Sequence, residues 1–235
     1  MRCSKNSPFS HLSSRDRQIL AHVARYRLTT PQTLQREVLQ HVSLNAVGKI
    51  ANRLCRTDLL AKYPLVHPAK YFVLGRGGAR AMGIGAHRIA PLGPQSLPTE
   101  YAVLLHAVLG KKRRRRLTNR ELLDHWPWLP PKLAMAPHCL DVEQQVIELV
   151  RVDLGGTADH VARRAIRDVT VRRRLPEFLA VVSQQRFRLV LITATRGKAA
   201  VIRAAIEHHD VPTGLQLHSS VVSQLLSFTR KQSHA

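Results

Sequence analysis

Apolar positions along the first 56 residues recur at helical spacing three times, and the pattern then changes. Ile19, Leu20, Val23 and Ala24 share one face of a helix opening at Ser13–Ser14. Those serines suit an N-cap, and Asp16 in the first turn suits the positive end of the helix dipole. Thr30-Pro31 opens a second helix with proline at its first position and Leu34, Val38 and Leu39 as its apolar side. Ser43 caps a third, running to Arg56. In LLAKYPLVHPAKYFVLG two apolar segments then flank a tip of His67, Pro68, Ala69 and Lys70, which predicts a β-hairpin. GRGGARAMGI follows as a short Gly-rich helix. Three helices and a hairpin predict a winged helix-turn-helix over residues 13–84, after a loose polar segment at 1–12.

Beyond it, GIGAHRIAPLGPQSLP is rich in Gly and Pro without periodicity, which places a linker at 85–97. Residues 98–235 then alternate in kind. A helix is expected at 98–109 and another in TNRELLDHW, capped by Thr118 with Glu121 three residues on. Two strands are expected within 139–152, helices at 159–167 and 176–182, and a buried strand at 187–194. A helix at 198–208, a strand at 215–218 and a final helix at 221–229 complete the pattern. Strands alternating with helices predict a small α/β domain, so the expected class is α+β to α/β.

The third helix carries the clearest functional signal. At 100° per residue Asn45, Lys49, Asn52, Arg53 and Arg56 fall in one stripe, with Val47, Ile50, Ala51 and Leu54 opposite. The apolar side docks on the preceding helices. The polar side holds the residue types that pair with adenine and guanine edges or hold phosphates, and the helix contains no acid. At the hairpin tip His67 and Lys70 are placed to reach the DNA backbone or minor groove. Arg76 and Arg80 follow.

Charge extends this reading to the whole chain. The formal net charge is +22, with 37 Lys+Arg against 15 Asp+Glu, so a polyanion is the expected partner. Residues 1–86 carry 14 basic and 3 acidic side chains and residues 87–235 carry 23 and 12, so both halves share the excess. Lys111, Lys112, Arg113, Arg114, Arg115 and Arg116 form an unbroken basic run, read as an exposed loop or frayed helix end that binds phosphates. Arg163, Arg164, Arg167 and Arg172–Arg174 add to it. No apolar run approaches the roughly 20 residues of a spanning helix. No membrane partner is therefore expected, and the expected location is bacterial cytoplasm, on the nucleoid. A hydrophobic fraction of 44% separates the chain from a disordered basic tail.

Candidate chemistry is sparse. Cys3, Cys55 and Cys139 are far apart, so neither a disulfide framework nor a zinc knuckle is expected, and His138-Cys139 lacks partners. Gly155-Gly156-Thr157 lacks the spacing and lysine of a phosphate loop. Asp141, Glu143, Glu148 and Asp153 are the acids of the strand region. Asp141 with Glu148 or Asp153 is a conceivable Mg²⁺ site, set against ordinary pairing with arginines.

LSSRDRQILAHVARYRLTTPQTLQREV, IANRLCRTDLLAKYP and YFVLGRGGARAMGI together resemble the winged-helix half of the plasmid replication-relaxation family, over about residues 12–84. That family includes mobilisation relaxases carrying a restriction-endonuclease-like domain. The resemblance implies a PD-(D/E)xK-like second domain, in which one strand carries Pro-Asp and the next Glu-x-Asp before a Gly-Thr turn. Here Pro137-His138 and Arg151-Val152-Asp153 stand at those places, and only Asp153 keeps an acid. An arginine in place of a metal-binding carboxylate repels Mg²⁺, so the expectation is a nuclease-like scaffold without catalytic, metal or cofactor residues. The chain is then an accessory or regulatory factor of plasmid or mobile-element transfer, replication or transposition, binding double-stranded DNA, with other proteins of such a complex as possible partners. The alternative is a Mg²⁺-dependent DNA-nicking relaxase or nuclease.

Overall fold

The computed structural model describes residues 12–85 and 88–229. The segment read as a loose N-terminus, including Cys3, lies outside these residues apart from Leu12, as do Ala86 and His87 of the expected linker. The chain is mixed α+β, with eleven α-helices and two sheets among the described residues, and forms two compact units that meet between Pro94 and Gln95.

The first unit contains α1 (Ser14–Tyr26), α2 (Pro31–Glu37), α3 (Leu44–Arg56), β1 (Leu60–Pro64), β2 (Lys70–Leu74) and α4 (Arg76–Ala81). Each of the first three helices starts at the hydroxyl its sequence offers. Ser13 accepts from the Asp16 amide, Thr30 and Thr33 cap each other reciprocally, and Ser43 accepts from the Ala46 amide. Ile19, Leu20, Val23, Leu34, Val47, Ala51 and Leu54 interlock with Leu60, Phe72 and Leu74 of the hairpin as one core. β1 and β2 pair antiparallel with Leu60 opposite Leu74. An isolated bridge joins Thr29, between α1 and α2, to Phe72, a third strand position that periodicity alone did not show.

The second unit holds α5 (Ser96–Val108), β3 (Arg114–Leu117), α6 (Asn119–His125), α7 (Pro131–Ala134), β4 (His138–Asp141), β5 (Val146–Val152), α8 (Ala158–Arg173), α9 (Pro176–Ser183), β6 (Phe187–Thr193), α10 (Arg196–Glu207), β7 (Gln216–Val221) and α11 (Leu226–Thr229). Its sheet runs β3-β4-β5-β6-β7. The first three strands are antiparallel and the last two are added in parallel. Side chains alternate across the sheet. Leu117, Leu140, Ile147, Leu149, Phe187, Leu189 and Leu191 face a core shared with α6, α8, α9 and α10. The opposite face is covered by α5, whose residues Ala102–Val108 are all buried.

Three expectations change. Only the first half of the basic run, Lys111–Arg113, is a loop, because Arg114–Arg116 belong to the edge strand β3. The helix expected at 159–167 continues to Arg173, since Val169 and Arg172 also turn inward. The last helix shrinks to a 3₁₀ turn at Ser223–Leu225 and α11.

Candidate nucleic-acid interface

α3 buries Val47, Ala51 and Leu54 and leaves Asn45, Lys49, Asn52 and Arg56 exposed. The fifth residue of the stripe, Arg53, is different. Its Nη2 donates to Asp16 Oδ1 at 2.6 Å, and its side chain is 42% exposed while that of Asp16 is 7%. Asp16, in the first turn of α1, therefore anchors α3 to α1. The stripe has no acid of its own, but α1 supplies one to Arg53. Asn52 is also engaged, accepting from Lys62 Nζ at 3.1 Å. Lys62 went unnoticed in the sequence, although its alternate position in LAKYP marks it as outward-facing. It adds a cation beside α3, while His67, Lys70, Arg76 and Arg80 are all exposed.

The register of the second unit explains the fate of the basic run. Arg116, Cys139, Glu148, Arg188 and Gln216 are successive cross-strand neighbours, one row on the face toward α5, with Arg114 opposite Asp141 two residues along. Arg114 Nε donates to Glu148 Oε2 at 2.8 Å, and Arg116 pairs with Glu100 of α5. Lys112 Nζ lies 3.3 Å from Asp141 Oδ2, and Arg115 lies 3.9 Å from Glu121. Four of the six charges thus face a carboxylate, and only Lys111, Arg113 and Arg115 are exposed residues. The run is therefore only partly solvated, with Lys112, Arg114 and Arg116 turned toward carboxylates of the fold.

Arg188 sits at the centre of the row, with its guanidinium 3.1 Å from Glu148 Oε1 and 3.5 Å from Asp141 Oδ2. The remaining oxygens also have donors. Glu148 Oε2 accepts from His106 Nε2 at 2.9 Å, and Asp141 Oδ1 accepts from the Gln144 amide at 3.1 Å. Burial works to raise the Glu148 carboxyl, but His106 and Arg114 hold it down at about 2. Asp141 also ends below its usual range, because the Gln144 amide and Lys112 outweigh its burial. Sequence reasoning weighed Asp141 and Glu148 but overlooked His106 and Arg188. The available signal was a histidine in an apolar helix and an arginine in the apolar strand FRLVLIT.

The resemblance-based positions fall elsewhere. His138 and Arg151 turn to the opposite sheet face, toward α8. His138 Nδ1 donates to Ala136 O at 2.7 Å, and burial followed by Arg172 pushes its pKa down to about 3. Arg151 pairs with Asp168 of α8 and not with Asp153. Asp153 is buried at 6% exposure and accepts from the Gly155 amide at 2.9 Å, forming a turn ahead of α8. Among the described residues no group of three or more His, Cys, Asp or Glu side chains is arranged to hold a metal ion. Cys139 is buried and its thiol is pushed up to about 12, first by burial and then by Glu148. Cys55 is half-buried. No helix among the described residues is long and apolar enough to cross a membrane.

No known protein family, curated protein or solved structure matches this chain.

Proposed function

We propose that this chain is a double-stranded DNA-binding protein whose first unit works as a winged helix, with α3 in the major groove and the β1–β2 hairpin as the wing. The observation that carries the reading is the outward row of α3. Asn45, Lys49, Asn52 and Arg56 project from one exposed face, and the opposite face is locked into the core. Exposed amide and basic side chains on one helix match the donor and acceptor pattern of base edges and phosphates. The order of three helices, a bridge at Thr29 and a hairpin supports the same reading, as does the net charge of +22. In this arrangement Asn45, Lys49 and Asn52 read bases. Arg56, Lys62, His67 and Lys70 hold phosphates, and Arg53 braces α3 against α1.

The second unit is read as a nuclease-like scaffold without catalysis, serving an accessory or regulatory role in DNA transfer, replication or transposition of a mobile element. What favours this over a Mg²⁺-dependent nicking enzyme is the occupancy of its paired carboxylates. All four oxygens of Asp141 and Glu148 accept from protein donors, and a guanidinium lies between the two groups. A divalent ion at that place meets Arg188 in its way.

The experiment is fluorescence anisotropy of the full chain with duplex DNA across salt concentrations, beside supercoiled plasmid with Mg²⁺ or Mn²⁺. The expected result is duplex binding that weakens steeply with salt, without nicking. Failure to bind duplex at low salt overturns the DNA-binding reading. Metal-dependent nicking abolished by Glu148→Gln restores the enzyme reading.

A further inference from the structure

We infer that the second unit holds nucleic-acid phosphates through the outer face of α8 rather than through the Lys111–Arg116 run; the inference rests on the DNA-binding reading above. At 100° per residue His160, Arg163, Arg164, Arg167, Val171 and Arg174, the last just past the C-terminus of α8, fall within one arc. All six are exposed, while Ala162, Ala165, Ile166, Val169 and Arg172 face the core. None of Arg163, Arg164, Arg167 and Arg174 pairs with a carboxylate among the described residues. Two acids flank the row: Asp168 is taken by Arg151, and Asp159 meets Arg163 through its backbone carbonyl, at 3.4 Å from Arg163 Nε, and not through its carboxylate. From Arg163 to Arg174 the row spans about 16 Å, at roughly 1.5 Å of rise per residue. That matches the axial rise of about five base pairs at 3.4 Å each.

A second observation points the same way. Arg151 stands at the inner margin of the row, and its Nε is buried without a hydrogen-bond partner. Burial lowers its pKa, and the charges of Arg164 and Arg167 lower it further against the pull of Asp168. Like charges thus crowd one side of α8 in the free protein. A row of phosphates supplies the counter-charge that the fold itself does not. The run is the reverse case, since four of its six cations already have carboxylates and three of those, Asp141, Glu148 and Glu100, are buried.

The test compares two triple variants of the full chain, Arg163→Gln/Arg164→Gln/Arg167→Gln and Lys111→Gln/Arg113→Gln/Arg115→Gln. Their log–log salt dependence is measured on a random-sequence duplex. The α8 variant is expected to lose about 2–3 units of slope, at roughly 0.9 per phosphate contact, and the run variant less than 1. An Arg163→Lys/Arg164→Lys/Arg167→Lys variant retains most of the slope. An unchanged slope in the α8→Gln variant, or an equal loss in the run variant, overturns the inference. So does lost binding to anionic lipid vesicles with DNA binding intact. If instead Lys49→Ala/Arg56→Ala leaves DNA binding untouched while the α8→Gln variant abolishes it, the α3 reading fails and the α8 surface stands. A wild-type chain that binds no duplex at low salt overturns both.

Discussion

Arg188→Met tests whether the charged row under α5 holds the second unit together. Arg188 is 3% exposed, and its guanidinium serves Glu148, Asp141, Gln144 and Gln216 at once. Removing one partner of a buried ion pair typically costs 3–5 kcal/mol, because the other charge stays buried and uncompensated. Here the carboxylates keep some donors, with His106 and Arg114 on Glu148 and Lys112 and the Gln144 amide on Asp141. We therefore expect about 3 kcal/mol. The assay is selective, since the chain's two tryptophans, Trp126 and Trp128, both lie in the second unit, and Trp126 packs 6.1 Å from Phe187, the neighbour of Arg188. Urea unfolding followed by tryptophan fluorescence then reads this unit by itself. With a slope of roughly 2 kcal/mol per molar urea, the midpoint falls by about 1.5 M. A shift below about 0.3 M, the scale of an ordinary surface substitution, refutes the reasoning.

Gly78→Ala in α4 is expected to destabilise the first unit by more than 2 kcal/mol in far-UV circular dichroism. Helix propensity favours Ala by about 1 kcal/mol, but the new Cβ falls 2.1 Å from Leu59 O, which is backbone and cannot step aside; a neutral or stabilising result contradicts that packing. His22 is buried beside Thr29, and burial lowers its pKa from 6.5 to about 4. Its neutral form thus supports the fold fully above pH 6.5, and about 3 kcal/mol is lost as pH falls toward 4; His22→Gln should flatten that part of the first unit's pH–stability profile, and an unaltered profile rejects the assignment. Arg53→Ala should lower the stability of the first unit by about 1 kcal/mol through its part-exposed pair with Asp16, while sparing sequence preference, and selective loss of preferred-site binding with stability unchanged makes Arg53 a base reader instead.

Where local pattern decided the outcome, the sequence was a good guide. α3 begins after Ser43 and ends at Arg56 because its cap and its apolar spacing are both local. The Thr118–Glu121 capping box is likewise formed from residues three apart. The basic run misled for a complementary reason. Six cations in a row look solvated until a strand turns alternate ones to a common face. Their acids, Glu148 for Arg114 and Glu100 for Arg116, lie 34 and 16 residues away. Arg53 carries the same lesson at a separation of 37 residues. Periodicity identifies which face a side chain occupies, but not which charge the fold brings opposite it. Arg188 and His106 were visible only as polar residues in apolar segments, and the register that joins them through Glu148 belongs to the assembled sheet.

Selection from a random duplex pool, run in parallel on the full chain and on Lys49→Ala/Asn52→Ala, tests the role of α3 most directly. Both positions are exposed, and neither contributes to the core, so the variant should fold as the parent does. The account predicts that the parent enriches a sequence motif and that the variant loses it. It also predicts that the variant retains most of its affinity for arbitrary DNA through the remaining basic surface, because a good base contact discriminates by roughly 1–3 kcal/mol whereas phosphate contacts do not read sequence. Enrichment of the same motif by both proteins would contradict the placement of α3 in the groove.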